Sequence, residues 1–274
     1  MQKTPEMITS RQNPLLSLTA SLGERKYRAR TGLFRFDGKK LFFEARTAGV
    51  ELTAVLLRES AASALLSDIP ALPRECRLAV LPDALFDRLS EEKSPEGVIC
   101  VAKRLDKLHK IVTIDKRASF CETLLSGQTL LLESVRDPGN LGTAIRSAAA
   151  FGVPNLVISS DCADLYHPRT IRGAMGTLFG QHIVVVQDAA DAARALAARG
   201  RVFAAALDAR AARLGEVTFG AADTVAVGNE GHGLSSELRA ACTDSIFIPM
   251  AVGVESLNAG VAASLLAWEF SRGR

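Results

Sequence analysis

From residue 127 onward, short apolar runs alternate with segments of helical periodicity. The runs are Thr129–Leu132, Leu156–Ser159, His182–Val186, Val202–Ala206, Thr224–Val227 and Ser245–Ile248. They are continuous rather than alternating, as expected for parallel strands covered on both faces. Between them, residues 140–151, 188–199, 235–242 and 256–271 predict helices, and the alanine-rich stretch 189–212 reflects helix propensity. The first hundred residues carry a smaller α/β alternation. Helices are expected over 14–22, 39–48, 60–66 and 83–90, and strands over Leu33–Phe36, Leu52–Leu57, Arg77–Leu81 and Gly97–Ala102. Asp37-Gly38 marks a turn after the first of these strands. Residues 103–126 are mixed and basic and fit a linker or connecting helix. The expected architecture is therefore α/β, with an N-terminal domain over 1–103, a linker over 104–126 and a mostly parallel C-terminal domain over 127–274.

A doubly wound pattern places ligands at the carboxyl ends of its strands, and three loops there have unusual chemistry. Asp137-Pro138-Gly139-Asn140 opens a helix, with Asn140 at the expected cap and Arg146 one to two turns in. An arginine near a helix start opposes the macrodipole, which makes an anionic partner worth considering beside a plain capped helix. The second loop, Gly228-Asn229-Glu230-Gly231-His232-Gly233-Leu234-Ser235, has three glycines that let backbone approach a ligand. It matches neither dinucleotide nor P-loop fingerprints, and Glu230 would repel a phosphate. A ligand with a positive centre or hydroxyls suits it better. The third loop runs from Ile248-Pro249-Met250 to Glu255-Ser256-Leu257-Asn258, where Ser256 and Asn258 either cap the final helix or orient a polar substrate.

Composition narrows the class. Hydrophobic residues make up 48% and charged residues 23%, an ordinary globular balance. The net charge of +3 is uninformative as a sum. Its distribution is not, because residues 1–126 hold 21 Lys/Arg against 16 Asp/Glu and the remainder 12 against 14. The window 24–40 concentrates Arg25, Lys26, Arg28, Arg30, Arg35, Lys39 and Lys40 against only Glu24 and Asp37. That window reads as a solvated face or as a phosphate-binding patch. The five cysteines include no CxxC pair and the four histidines form no metal-binding set, so no metal site is expected. Scattered cysteines, no secretory signal and no apolar run of 18 residues point to a cytoplasmic, reduced protein that does not span a membrane.

Taken together and in order, the three loops resemble the motifs of the SpoU (TrmH-like) branch of the SPOUT RNA methyltransferases. The matching segments are Asn140 to Arg146 and on to Gly152, then Gly228-Asn229-Glu230 to Gly233-Leu234, then Ile248-Pro249-Met250 with Glu255 to Asn258. Pro168-Arg169 and Arg172-Gly173-Ala174-Met175-Gly176 resemble the family's connecting segment. Residues 8–57 more loosely resemble the family's N-terminal RNA-binding domain, which is similar to certain ribosomal proteins. Ala259 and Gly260 depart from the family, which more often has a β-branched residue and serine there; altered packing or dimer contacts are expected.

The resemblance implies a deep trefoil knot in the C-terminal sheet and a homodimer whose active sites draw on both subunits. It implies S-adenosylmethionine as cofactor and methyl transfer to a ribose 2′-hydroxyl, most simply of ribosomal RNA. Transfer RNA as substrate, or a non-catalytic RNA-binding protein retaining the fold, are the alternatives. The catalytic set it implies is Arg146, Asn140, Glu230, Ser256 and Asn258. The cofactor set is Leu207, Gly228, Asn229, Gly233, Ile248, Met250, Ser256 and Leu257. A guanidinium is a poor base, so Arg146 is expected to clamp phosphate and stabilise the developing alkoxide. Arg25, Lys26, Arg28, Arg30, Lys39 and Lys40 are the expected RNA contacts, since phosphate neutralisation dominates such affinity.

Overall fold

A computed structural model describes residues 4–105, 111–114, 120–124, 126–208, 210–254 and 256–272. The chain divides into two units, Met1–Leu105 with Tyr166–Ile171, and Asp106–Leu165 with Arg172–Arg274. Much of the expected linker, at 106–110, 115–119 and 125, lies outside the described residues.

The first unit contains β1 (Glu6–Met7), α1 (Pro14–Ser21), α2 (Arg25–Thr31), β2 (Leu33–Asp37), α3 (Lys39–Thr47) and β3 (Leu52–Arg58). It continues with α4 (Glu59–Asp68), β4 (Arg77–Leu81), α5 (Asp83–Leu89) and β5 (Val98–Lys103). Its five-stranded sheet has the order β1-β4-β3-β5-β2. The sheet is mixed, because β5 runs antiparallel to both β2 and β3. Leu15, Leu16, Leu22, Leu56, Phe86 and Ile99 belong to its core. Pro14 sits at the start of α1 and Asn13 caps it, its Oδ1 accepting from Leu15 N at 2.9 Å. The Asp37-Gly38 turn leads directly into α3, with Gly38 at φ +113° serving as its cap residue. Tyr166 counts with this unit. Its hydroxyl accepts from Leu105 N at 2.8 Å and its ring lies 4.9 Å from that of Phe34.

The second unit begins with β6 (Ile111–Ile114), α6 (Phe120–Thr123), β7 (Thr129–Leu132), α7 (Pro138–Ala150) and β8 (Asn155–Ser159). After α8 (Pro168–Ala174), whose residues up to Ile171 count with the first unit, come β9 (His182–Val186), α9 (Ala189–Leu196), β10 (Val202–Ala205), β11 (Ala212–Arg213) and β12 (Thr224–Val227). The chain closes with α10 (Ser236–Ala241), β13 (Asp244–Phe247) and α11 (Ala259–Ser271). The sheet order is β11-β13-β10-β12-β7-β8-β9-β6 and every pairing is parallel. β6 occupies the segment expected to be a linker or helix. Its four residues pair with β9; in the sequence their short apolar run is set between basic residues, Lys107 and Lys110 before it and Lys116 and Arg117 after it. Alanines 189, 190, 192, 193 and 195 of α9 are buried in the core with Leu131, Val157, Val184 and Ala226.

Two helix starts differ from expectation. Asp137, not Asn140, caps α7, accepting from Asn140 N at 2.9 Å with Pro138 following it. Arg146 therefore lies more than two turns inside the helix, where the macrodipole has little hold on it. The final helix starts at Ala259 rather than 256, capped by Asn258, whose Oδ1 accepts from Val261 N at 3.2 Å. Gly260 explains the departure noted there. A Cβ at this position would lie 3.1 Å from Asn140 O, so glycine lets α11 pack closely on α7.

Among the described residues, no helix is long and apolar enough to cross a membrane, and no cluster could hold a metal ion. Cys76, Cys100, Cys162 and Cys242 are free thiols. Burial pushes the Cys242 thiol up to about 12.

Candidate functional site

The three loops follow the carboxyl ends of β7, β12 and β13, of which β7 and β12 are neighbours and β13 lies one strand further, beyond β10. A cavity of about 440 Å³ opens between the second and third loops. Leu207, Gly228, Asn229 and Gly233 line it on one side, and Ile248, Met250, Ser256 and Leu257 on the other. All eight expected cofactor residues thus share one cleft, with Glu230 and His232 at the same wall. Gly228 has a steric reason. A Cβ there would fall 2.2 Å from Gly233 C and 2.3 Å from Gly233 O, inside the loop's own backbone.

The second loop folds on itself. Asn229 N donates to Gly233 O at 3.0 Å and Gly233 N returns to Asn229 O at 2.9 Å. Inside that pair, Asn229 Oδ1 accepts from Gly231 N at 2.8 Å and from His232 N at 3.3 Å. Its Nδ2 turns outward and donates to Ser134 O at 2.9 Å. The loop ends at Ser235, which caps α10.

Three of the five expected catalytic residues are joined in one hydrogen-bonded chain. Asn258 Nδ2 donates to Asn140 Oδ1 at 2.8 Å, and Asn140 Nδ2 donates to Glu230 Oε1. The sense of the chain is fixed at one end, because Asn258 Oδ1 is occupied by the α11 cap. Ser256 is exposed and lines the cleft. Arg146 stands apart. It is exposed on α7, does not line the cleft, and has no side-chain partner among the described residues. Six residues of helix turn it about 120° from Asn140 around α7.

Two residues at the exit of β7 were not singled out by the sequence patterns. Glu133 accepts from Ser235 N and from Ser235 Oγ, both at 2.7 Å. Ser134 adopts φ +55° without being glycine. Its N–H donates to Ser159 Oγ at 2.8 Å and its hydroxyl to Asp161 Oδ2 at 2.5 Å. Burial works to raise the Asp161 carboxyl, but hydrogen bonds from Ser134, Ser159 and Arg136 outweigh it and hold it below its ordinary value. A polar pair directly after the apolar run Thr129–Leu132, at the ligand end of the sheet, was the available signal.

The basic window of the first unit is less open than its composition suggests. Arg28 is a correction to the expected RNA set. It is 3% exposed, and its Nη1 donates to Leu22 O at 2.7 Å and Gly23 O at 2.8 Å. Arg35 is equally buried and paired with Asp37 at 2.8 Å. Lys39 pairs with Asp68 at 2.6 Å and holds that carboxyl below its ordinary value. Lys26 pairs with Glu24 at 2.9 Å, and Lys26 and Arg30 both lie against the Tyr27 ring, at 4.9 and 4.8 Å. Arg25 and Lys40 are exposed with no side-chain partner among the described residues.

Comparison with known proteins agrees with this layout. The SpoU rRNA Methylase family matches residues 127–268, and the MRM3-like substrate binding domain matches residues 13–100. The chain is similar to the 23S rRNA (guanosine(2553)-2′-O)-methyltransferase RlmP of Bacillus subtilis, at 28% identity over 96% of this chain and 98% of that one. It is also similar to the 23S rRNA (uridine(2479)-2′-O)-methyltransferase of Streptomyces viridochromogenes, at 29% identity over 100% and 95%. The solved SpoU methyltransferase AviRb of Streptomyces viridochromogenes, in complex with AdoMet, superposes with a TM-score of 0.77 at 25% identity, over 95% of this chain and 98% of that one.

Proposed function

The chain belongs to the SpoU rRNA Methylase family, and from that membership we propose that it transfers the methyl group of S-adenosylmethionine to a ribose 2′-hydroxyl of ribosomal RNA. The observation that carries this reading is the cleft between the second and third loops, which gathers every residue of the expected cofactor set. The residues fit the group. Gly228 leaves backbone rather than side chain at the wall, and the cleft is mixed, with Leu207, Ile248 and Leu257 beside Asn229 and Ser256. Bound there, S-adenosylmethionine supplies an electrophilic methyl group on a positively charged sulfur. The acidic side chain of Glu230 at the same wall suits a cationic neighbour.

The protein's own task is to bring a weak nucleophile into line and to stabilise its developing charge. Arg146 is assigned to that charge and to the flanking phosphate, since a guanidinium offers several donors and makes a poor base. Ser256 orients the ribose. The chain Asn258–Asn140–Glu230 ties the head of α11 to the second loop and holds Glu230 in place.

Arg146 also supports a homodimer. It points away from Asn140 and is absent from its own chain's cleft, which suits a residue that completes the partner's site. Val261, Leu265 and Trp268 leave an apolar stripe exposed along α11, at i, i+4 and i+7, as a surface for that contact. We take the C-terminal chain to be knotted, as its family resemblance implies. The N-terminal unit captures RNA through Arg25, Lys26, Arg30, Lys39 and Lys40. We place the reaction in the cytoplasm.

The test is methyl transfer from labelled S-adenosylmethionine to ribosomal RNA transcripts, with mapping of the modified ribose. Label incorporated into a 2′-O-methyl group is the expected result. Protein that binds RNA but no S-adenosylmethionine would instead indicate an RNA-binding protein that keeps the fold.

A further inference from the structure

We infer that Glu133 and Ser134 form a clamp that sets the shape of the second loop, and that both are positioning residues for the methyl donor. The inference rests on the functional reading above. The loop from Gly228 to Ser235 is tied down at both ends by these two consecutive residues. At its start, Ser134 O receives Asn229 Nδ2 at 2.9 Å. At its end, the Glu133 carboxylate receives the backbone N–H and the hydroxyl of Ser235, both at 2.7 Å. Between these ties the loop is organised around Asn229, whose Oδ1 gathers the N–H groups of Gly231 and His232. An amide cannot turn one end without turning the other. The direction of the Ser134 carbonyl therefore decides how Asn229 presents the cleft wall.

That direction is set by an uncommon backbone. Ser134 has φ +55°, a conformation that a residue with a Cβ holds only when its surroundings enforce it. The enforcement comes from the next strand. Ser134 N–H donates to Ser159 Oγ at 2.8 Å and the Ser134 hydroxyl donates to Asp161 Oδ2 at 2.5 Å. Ser159 Oγ in turn donates to Asp161 Oδ1 at 2.6 Å. The clamp thus joins the exits of β8, β7 and β12 in a single path from Asp161 to the loop that lines the cleft. A residue serving only to end a strand has no need of a partner on each of these.

The full chain provides the test, with Ser134→Ala and Glu133→Gln read by amide hydrogen exchange without ligand and by S-adenosylmethionine titration. Exchange at 231–235 should quicken by about tenfold in Glu133→Gln and about threefold in Ser134→Ala, while β7 and β8 keep their protection. The KM for the donor should rise by similar factors, with kcat at saturating donor within about twofold of wild type. Should Ser134→Ala fail to fold, Ser134→Gly accepts the same φ and still removes the hydroxyl. Unchanged loop exchange and donor affinity in the variants would overturn the clamp while leaving the functional reading intact. So would loss of protection spread evenly over the sheet, since that is general destabilisation. Wild-type protein that binds no donor would overturn the functional reading and the clamp with it.

Discussion

The N-terminal unit and Arg146 of the C-terminal unit show two opposite uses of positive charge. In the N-terminal unit, cations are largely committed to the fold. Arg28 holds two carbonyls, Arg35 is buried against Asp37, Arg58 bridges Asp83 and Asp87, and Arg77 reaches Glu6. In the C-terminal unit, Arg146 stands in solvent with no side-chain partner among the described residues, while Asn258, Asn140 and Glu230 are tied into a fixed chain. A surplus of positive residues therefore measures binding surface poorly. What counts is the charge left over after the fold has been satisfied.

Substitutions can break or sharpen this contrast. Arg146→Ala removes an uncommitted cation, so methyl transfer should fall by about 10²–10³-fold with stability and donor affinity unchanged, measured by label incorporation and calorimetry. Arg28→Ala removes a committed one. It should cost about 2–3 kcal/mol in urea unfolding and leave the salt dependence of RNA binding as it was. Gly228→Ala tests the uncharged wall of the cleft. Its Cβ has no room, so about 1–3 kcal/mol of stability should be lost together with donor binding, seen in parallel melting and titration. Arg25→Ala should leave unfolding unaltered and reduce the slope of log K against log salt by about one. Equal behaviour of the Arg25 and Arg28 variants in both assays would erase the distinction between committed and available charge.

Much of the C-terminal unit was legible. Continuous apolar runs gave its strands from β7 to β13 apart from the two-residue β11, because parallel strands buried on both faces have no polar alternation to confuse them. The cleft was legible too, through glycines whose spacing has a steric cause at Gly228. The strands β1 and β11 were not, since two residues carry no measurable period, and β6 was obscured by the basic residues Lys107, Lys110, Lys116 and Arg117 on either side of its apolar run in the sequence. The α7 cap was misplaced by three residues although Asp137-Pro138 was in plain view; a capping acid before a proline at the first helical position is the stronger signal. Arg28 was illegible for a different reason. Its fate depends on carbonyls five and six residues earlier, at the C-terminal end of α1, where a helix leaves carbonyls without intrahelical partners, and no count of charges reveals them. Glu133 and Ser134 lay between the two kinds, suggestive by position but decided only by contacts a hundred residues away.

The choice of amide rather than acid in the Asn258–Asn140 chain has a consequence for what the site admits. Aspartate caps a helix as well as asparagine does, so the α11 cap alone gives no reason to prefer Asn258. Carboxylates at 258 or 140 would face another acceptor where the amides now donate, and would add negative charge beside Glu230. A polyanion approaching that edge would meet more repulsion than Glu230 alone presents. The paired amides tie helix to loop while adding no negative charge of their own to that of Glu230.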